Sequence, residues 1–206
     1  MKQTDLTCTA FSAALASSAP SPGGGGAAAL CGSLACALGR MVSALSENKK
    51  SCEKHKEEIA AISNRLETLR LELLGLVDED EAGFLPLSAA WGMDKANPNR
   101  EGAIEAALNA ACAAPLKMME ALCEEAGLLG DLAPVCSPIM ISDAGAGAAL
   151  CAGALRAAAL NVYVNAGLMK QRDRAEELVR RADGLLESAL LADETFRFVQ
   201  KKLKKD

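Results

Sequence analysis

One stripe of side chains constrains the fold of this chain more than any other sequence feature. Between residues 51 and 92, ten side chains follow one another at steps of three or four, and nine of them are apolar: Ile59, Ile62, Leu66, Leu69, Leu73, Leu76, Asp80, Phe84, Leu87 and Trp91. Steps of three and four keep side chains on one face of an α-helix, so the stripe predicts a single helix of about nine turns. A helix this long with one apolar face must pack against other helices.

The composition extends this prediction to the whole molecule. Of the 206 residues, 50% are hydrophobic but only 3% are aromatic, so the apolar half is mostly small and aliphatic. This composition excludes a disordered chain, and it disfavours a β-sandwich or barrel because strands are rich in aromatic and β-branched residues. We therefore predict one domain, residues 1–206, with an all-α fold: an up-and-down bundle of about six long helices without a sheet.

Breaks in the apolar pattern place the helices within the chain. We predict helices over residues 4–16, 27–45, 51–92, 99–127 and 141–167, and a last charged helix that extends to about residue 203. Pro86 and Pro115 are expected to bend the helices that contain them. The segment Ile141-Ser142-Asp143 offers a cap for the fifth helix. That helix is long and apolar, but it is dominated by Gly and Ala and contains a charged residue, so we interpret it as a core helix and expect no membrane association.

The cysteines and the charge indicate the surroundings of the protein. Eight cysteines are scattered without any Cys-x-x-Cys pair, and the chain has a single histidine, so neither a metal site nor a cofactor is predicted. We interpret the cysteines as reduced thiols that serve as small core residues, which together with the absence of an apolar leader after Lys2 predicts a cytoplasmic protein. The net charge is −5 and there is no basic stripe, so we expect no nucleic-acid partner.

A run of two prolines and four glycines, Pro20-Ser-Pro-Gly23-Gly24-Gly25-Gly26, is predicted to be a loop that leads into the second helix. Glycines let backbone N–H groups approach a ligand, and the first turn of a helix presents unpaired donors that suit an anionic or carbonyl-rich group. The run is not a nucleotide-binding P-loop, because no Gly-Lys-Ser/Thr follows it and no strand precedes it. The alternative interpretation is a flexible linker between two helices.

Two carboxylates and two amides stand out on the predicted helices. Asp80 interrupts an apolar stripe, where a carboxylate needs either a polar partner or a function; its neighbours Asp78, Glu79 and Glu81 are expected to form a solvated face. Asp143 is either a functional carboxylate or an acid held by the helix dipole. Asn161 and Asn165 are one turn apart on the helix that begins near Asp143, but Asp143 and Asn161 are separated by roughly 27 Å along a straight helix.

Taken together, these elements resemble the cyclodeaminase/cyclohydrolase family of folate enzymes, and the similarity covers almost the whole chain. The elements that carry it are the segment from Phe11 through the glycine run, Leu45-Ser with Lys49-Lys50, Val77-Asp-Glu-Asp80 with Phe84, Ala114-Pro115, Ile141-Ser-Asp143-Ala-Gly, and Ala154-Leu-Arg-Ala-Ala-Ala-Leu-Asn161-Val-Tyr-Val-Asn165. Asn48 and Cys52 depart from the Gly and Tyr that the family usually shows there. The order and spacing of the elements make the resemblance specific.

The resemblance implies an enzyme that interconverts one-carbon tetrahydrofolates. The reaction is either hydrolysis of 5,10-methenyltetrahydrofolate to the 10-formyl form or cyclisation of the 5-formimino form with release of ammonia. Because the 206 residues contain no transferase half, we expect the cyclohydrolase slightly more than the cyclodeaminase. The competing class is non-catalytic, a folate-binding or dimeric helical interaction protein.

The same resemblance assigns roles to individual residues. Asp80 is expected to act as the general acid/base, because burial would raise its pKa, and Asp143 either as a second carboxylate or as the partner of the pterin's amino-pyrimidine edge. The glycines Gly23 to Gly26 would close over the substrate, with Asn161 and Asn165 as further binding residues. Lys49 would meet the glutamate tail, which can be polyglutamylated.

The long apolar helices also predict a homodimer. The helix over residues 51–92 presents more apolar surface than a 206-residue monomer easily covers, and a two-fold arrangement is the commonest way to close such a surface. The resemblance implies the same assembly. We expect the folate site at or near the subunit interface, where Asp143 and Asn161 could belong to different sites or face each other across subunits.

Overall fold

The computed structural model describes residues 2–204, and every regular element in this range is helical. The α-helices are α1 Cys8–Leu15, α2 Gly24–Ser46, α3 Lys56–Trp91, α4 Arg100–Ala111, α5 Ala113–Val135, α6 Ile141–Leu168, α7 Arg172–Leu186 and α8 Ser188–Lys204. Short 3₁₀ helices cover Gln3–Asp5, Lys50–His55 and Pro138–Met140. Within the described range there is no strand, and six of the α-helices have fifteen or more residues, which confirms the predicted all-α fold.

Helix α2 lies at the centre of the bundle, between α3 and α6. It runs antiparallel to α3, because Gly32 faces Leu73 whereas Gly39, two turns later, faces Leu66. It also runs antiparallel to α6, because Gly24 lies beside Asn161 whereas Ala35 lies against Gly147. The start of α2, the second half of α3 and the end of α6 therefore meet at one end of the bundle.

Only the first part of the predicted loop, residues 20–23, lies outside the helices. Gly23 precedes α2 as its N-terminal cap residue, and Gly24, Gly25 and Gly26 form its first turn, so α2 begins three residues before the predicted start. Glycine is a poor helix former, but tertiary packing overrides its intrinsic preference here. A Cβ atom at Gly25 would collide with the carboxylate of Asp80, so any larger residue at that position would displace the carboxylate from its place against the first turn of α2.

Several other predicted helix boundaries are also wrong. The predicted helix 99–127 consists of α4 and α5, separated at Cys112, and α5 continues to Val135. Pro115 lies in the first turn of α5, where its missing N–H leaves no helical hydrogen bond unmade. Pro86 stands inside α3 without ending it. The last predicted helix consists of α7 and α8.

The predicted cap of α6 is also corrected. The N-terminal cap position is Met140, which makes no side-chain capping bond, and the 3₁₀ helix Pro138–Met140 leads directly into α6. Asp143 lies in the first turn of α6 instead, where a carboxylate interacts favourably with the helix dipole.

Helices α2 and α6 share an exposed apolar surface. By length and composition alone, α2 and the segment Pro138–Leu168 are each long and apolar enough to cross a membrane. The core helix of a water-soluble protein meets the same criterion, and half of the most apolar 18 residues of each helix is buried in the bundle. The remaining large apolar side chains face outward, and we call them the α2–α6 face: Leu34, Met41, Leu45, Leu150, Leu160, Val164 and Leu168. The two helices meet beside this face, since the Cys31 thiol donates to the Leu150 carbonyl at 3.7 Å.

One carboxylic acid is fully enclosed in the core. Glu125 on α5 has no exposed surface, and neither of its carboxyl oxygens has a hydrogen-bond partner among the described residues. Burial raises the pKa of Glu125 to about 8, and the nearby thiols of Cys36 and Cys151 only partly offset this effect. The same burial, together with the neighbouring Glu125, raises the pKa of both thiols. All eight cysteines are free, and five of them are buried, whereas Cys8 is exposed.

Candidate active site

A cavity of about 260 Å³ opens where α2, α3 and α6 meet. The segment before α2 closes it on one side, and Ala111, the last residue of α4, closes it on another. The residues that line it are Pro20, Ser21, Gly23, Gly24, Gly25, Asp80, Glu81, Phe84, Trp91, Ala111, Asn161, Val164, Asn165 and Leu168. The structure thus brings together Asp80, three of the four predicted glycines and both predicted asparagines.

Asp80 is the half-buried carboxylate of this cavity, seated on α3 against the first turn of α2. Burial raises the pKa of Asp80, and the backbone N–H of Gly26, which donates toward the carboxylate, acts in the opposite direction. Asp80 forms no ion pair within residues 2–204. A buried salt bridge therefore does not account for this carboxylate on the apolar stripe, whereas the backbone N–H of Gly26 and the open cavity do.

The four glycines differ in how much space surrounds them. Gly25 has no room for a side chain, but a Cβ atom at Gly24 would lie 3.7 Å from the amide of Asn161, an ordinary contact. A Cβ at Gly26 would meet Val77 at 3.7 Å, and one at Gly23 would meet nothing within 4 Å. No glycine in the described part of the chain has a positive φ, so close approach, and not a left-handed backbone, explains the glycine at position 25.

Asn161 and Asn165 are oriented by hydrogen bonds from their amide nitrogens. The Nδ2 of Asn161 donates to the Ala157 carbonyl at 2.9 Å, and the Nδ2 of Asn165 donates to the Ala111 carbonyl at 3.2 Å. Each bond uses one of the two N–H groups of the amide, which leaves the Oδ1 acceptor and one N–H donor of each side chain for a ligand. The second bond also ties the end of α4 to the wall of the cavity.

Asp143 and Lys49 lie at the opposite end of the bundle. Asp143 is half-buried in the first turn of α6, about 27 Å along the helix from Asn161. Lys49 is exposed after the end of α2. A hydrogen bond joins the end of α2 to the segment before α6 there: the backbone N–H of Ser137 donates to the Ser46 hydroxyl at 2.9 Å. Within one chain, the predicted site residues therefore form two groups at the two ends of α2 and α6.

Among the cavity residues that sequence reasoning did not assign to the site, Phe84, Trp91 and Glu81 have side chains suited to binding a ligand. Phe84 and Trp91 belong to the apolar stripe, but Phe84 is only half-buried and Trp91 is 44% exposed. Their rings meet edge to face at a centroid distance of 6.1 Å. Glu81 was assigned to a solvated face, yet it lines the cavity beside Asp80. The sequence signal that could have indicated Phe84 and Trp91 as site residues is their position near the end of a stripe that also contains a carboxylate.

The remaining two acids of the predicted solvated face have structural partners. Asp78 accepts hydrogen bonds from the backbone N–H of Gln3 at 2.8 Å and from the Thr4 hydroxyl at 3.2 Å. The Gln3 side chain in turn donates to the Ser21 hydroxyl at 2.8 Å, which fixes the rim of the cavity. Glu79 pairs with Lys117 at 2.8 Å on the surface.

The cavity is electrostatically one-sided. Its charged residues are Asp80 and Glu81, and no lysine, arginine or histidine in the described range lines it. Arg156 on α6, a further cation near this region in sequence, pairs with Asp193 on α8. No group of three or more His, Cys, Asp or Glu side chains that could hold a metal ion occurs among residues 2–204. The arrangement favours a ligand with positive charge at its reacting centre and hydrogen-bond donors along its edge.

Comparison with known proteins identifies the family. The sequence profile described as formiminotransferase-cyclodeaminase matches residues 7–184. The chain belongs to this family. A relative within it, the methenyltetrahydrofolate cyclohydrolase of Methylorubrum extorquens, is 35% identical over 202 residues, which are 96% of this chain and 97% of that protein.

The fold agrees with that of a solved structure. Formiminotetrahydrofolate cyclodeaminase from Thermotoga maritima superimposes with a TM-score of 0.84 over 97% of this chain and 96% of that chain. The sequence identity between the two is 24%, so this likeness establishes the shared all-helical fold of the family.

Proposed function

We propose that this protein hydrolyses 5,10-methenyltetrahydrofolate to 10-formyltetrahydrofolate, with Asp80 as the general acid/base. The relative at 35% identity, which matches this chain over nearly its whole length, carries the name of that activity. The observation that carries the proposal is Asp80 itself, a half-buried carboxylate with a raised pKa and no ion-pair partner in the described chain, at an open cavity.

The charge of the cavity supports this substrate. The methenyl carbon of the substrate lies between N5 and N10 in an amidinium group, so the positive charge is centred on the reacting atom. A cavity with two carboxylates and no lining cation stabilises such a group, and the low-polarity walls strengthen the interaction.

Asp80 can serve both steps of the hydrolysis. As a base it accepts a proton from water while the oxygen attacks the methenyl carbon, which gives a neutral tetrahedral intermediate. The bond from this carbon to N5 then breaks, N5 receives the proton from Asp80, and the hydroxyl proton is released as the formyl group forms on N10. Burial raises the pKa of the Asp80 carboxyl group, so it holds a proton more readily than an exposed aspartate and can both take and give one.

A second candidate reaction is cyclodeamination of 5-formiminotetrahydrofolate, which the description of the family profile favours. In that reaction N10 attacks the formimino carbon and loses a proton, and ammonia departs after gaining one. The same carbon, the same two nitrogens and the same acid/base residue serve it. A non-catalytic folate-binding or helical interaction protein is the remaining alternative.

We further propose that the active unit is a homodimer formed through the α2–α6 face. Val164 and Leu168 belong both to this face and to the wall of the cavity, so a subunit that covers the face also covers the mouth of the cavity. A two-fold axis perpendicular to α2 and α6 reverses their direction in the partner. Asp143 and Lys49 of the partner subunit would then approach this cavity, Asp143 as a second carboxylate and Lys49 for the glutamate or polyglutamate tail.

The dimer is tested by light scattering at micromolar concentration, with Leu160→Lys as a variant that places a charge in the α2–α6 face and Lys95→Glu as an exposed control on a residue that is not part of that face. We expect a mass near twice the monomer's 21.3 kDa for the parent and the control. We expect Leu160→Lys to shift the protein toward monomer with loss of turnover. A monomeric parent with full activity contradicts the shared site.

We place the protein in the cytoplasm, where eight unpaired thiols stay reduced.

The function is tested by two assays on the purified protein: loss of the near-ultraviolet absorbance of methenyltetrahydrofolate, and release of ammonia from the formimino substrate. Turnover in the first alone supports the cyclohydrolase, and turnover in the second alone supports the cyclodeaminase. Binding without turnover in either supports the non-catalytic alternative.

A further inference from the structure

The cavity contains a carboxylate that the proposed proton transfers do not use. Glu81 follows Asp80 on α3 and is half-buried, and its carboxylate makes no hydrogen bond or ion pair with any other residue in the described part of the chain. A carboxylate that lines a cavity without a protein partner is available to a ligand, and as an acceptor it selects a ligand group that donates hydrogen bonds.

We propose that Glu81 binds the donor edge of the substrate's 2-amino-4-oxopyrimidine ring and so holds the pterin against Phe84 and Trp91. This inference rests on the proposed folate substrate. The ring N3–H and the exocyclic 2-amino group are adjacent donors that point in the same direction, and a carboxylate offers two acceptors at a matching spacing. Such paired, charge-assisted hydrogen bonds are strong and geometrically selective.

The positions of the two carboxylates on α3 separate their tasks. Consecutive helical residues point about 100° apart around the axis, so Asp80 and Glu81 diverge. Asp80 faces the first turn of α2, where the Gly26 N–H donates toward it. Glu81 stands three residues before Phe84 and Asp80 four residues before it, so Phe84 lies on the side of the helix between the two carboxylates and within reach of a ring that Glu81 binds.

The aromatic pair fits the flat ring whose edge Glu81 would bind. The chain has only six aromatic residues, one Trp, one Tyr and four Phe, and two of them line this cavity. Trp91 keeps 44% of its surface exposed there. A half-exposed indole beside a second aromatic ring offers a face on which a planar heterocycle can stack.

This assignment bears on the two roles expected for Asp143, one of which was the pterin edge. Glu81 lies in the cavity of the same chain, whereas Asp143 lies at the opposite end of α6 and would reach the cavity only from the partner subunit of the proposed dimer. If Glu81 binds the pterin edge, the role left to Asp143 of the partner subunit is that of the second carboxylate.

The test compares Glu81→Gln with Glu79→Gln, a matched control whose side chain pairs with Lys117 on the surface. Glutamine keeps the size of the side chain but sets a donor against the ring's donors. We expect Glu81→Gln to raise KM for methenyltetrahydrofolate by about 10- to 100-fold, the range for hydrogen bonds to a charged group, with kcat changed by less than about threefold. Glu79→Gln should match the parent.

Ligand binding without turnover supplies the second measurement. Trp91 is the only tryptophan and lines the cavity, so its fluorescence reports binding directly. A tetrahydrofolate analogue with a 2-methyl in place of the 2-amino group should bind the parent more weakly than tetrahydrofolate by about 10- to 100-fold. Glu81→Gln should bind the two compounds with similar affinity, because it has already lost the partner of the amino group.

The outcomes separate this inference from the proposed function. If the parent turns over methenyltetrahydrofolate and Glu81→Gln keeps both the parental KM and the parental preference for the 2-amino compound, Glu81 does not bind the pterin edge, while the proposed function stands. If the parent neither turns over the folate substrates nor changes its Trp91 fluorescence with tetrahydrofolate, the proposed function fails and the role of Glu81 fails with it.

Discussion

Asp80 and Glu125 are both carboxylic acids whose pKa is raised by burial, yet they occupy opposite kinds of environment. Asp80 is half-buried at the end of the bundle, with a backbone N–H toward one side and a cavity on the other. Glu125 is sealed in the core and has no hydrogen-bond partner among the described residues. A raised pKa is therefore not sufficient to identify a catalytic acid, since only the group that a substrate can reach can exchange protons with it.

The two sites also handle the cost of a buried carboxylate differently. At Asp80 the amide of the first turn of α2 stabilises the charged form, so ionisation remains possible. At Glu125 the nearest polar side chains are the thiols of Cys36 and Cys151, which are weak donors. Glu125 avoids the cost of a buried charge by keeping its proton, and no substrate reaches it, so it takes no part in the chemistry.

The largest expected effect is a loss of kcat when Asp80, but not Glu125, is exchanged for its amide. Asp80→Asn should lower kcat by about 10²- to 10⁴-fold, the contribution of a general acid/base, with an unchanged melting temperature. Glu125→Gln should keep kcat within about threefold of the parent, because no proton transfer passes through the core. Steady-state kinetics with circular-dichroism melting checks both. An Asp80→Asn variant with parental kcat in both folate reactions refutes the acid/base assignment.

The pH dependence of stability distinguishes the acids next. Between the ordinary carboxyl pKa of about 4.5 and the folded-state pKa of about 8, folded Glu125 holds a proton that the unfolded chain has lost. The unfolded state therefore binds fewer protons, and the free energy of unfolding falls as pH rises through this window, by at most about 5 kcal/mol above pH 8. Glu125→Gln removes this contribution.

The measurement is urea unfolding of the parent and Glu125→Gln from pH 5 to pH 9. We expect similar stability at pH 5 and a growing advantage for Glu125→Gln toward pH 9, because the parent then has to bury a charge or break its core. A constant difference across the pH range would show that Glu125 does not titrate differently in the folded and unfolded states.

The smallest expected effect concerns the contact between Asp80 and α2. Gly25→Ala places a Cβ against the Asp80 carboxylate and should cost about 1–3 kcal/mol in stability, as overpacking does, together with reduced turnover. Gly24→Ala is the matched control, because a Cβ there meets Asn161 at an ordinary 3.7 Å. Denaturation and kinetics of the two variants test this difference, and equal behaviour would show that the helix ends are not held as closely as Gly25 requires.

These glycines show why site predictions from the sequence were incomplete. The structure places three of the four glycines beside Asp80 and the two asparagines, but the glycine run was assigned to a loop because intrinsic propensity disfavours glycine in helices. The requirement for glycine at position 25 comes from a side chain 55 residues later in the chain. No local pattern contains that information.

The sequence by itself determined the helical class, the long helix α3 and the unusual position of Asp80, because a period of three to four residues is a local property of the chain. The tertiary structure decided which ends of the helices meet. The antiparallel packing of α2 against α3 and α6 brings Gly25, Asp80 and Asn161 together, leaves Asp143 at the far end, and turns Glu81 toward the cavity. It also encloses Glu125, whose neighbours come from other helices. Helix direction and register depend on contacts between residues distant in the sequence, so periodicity alone does not determine them.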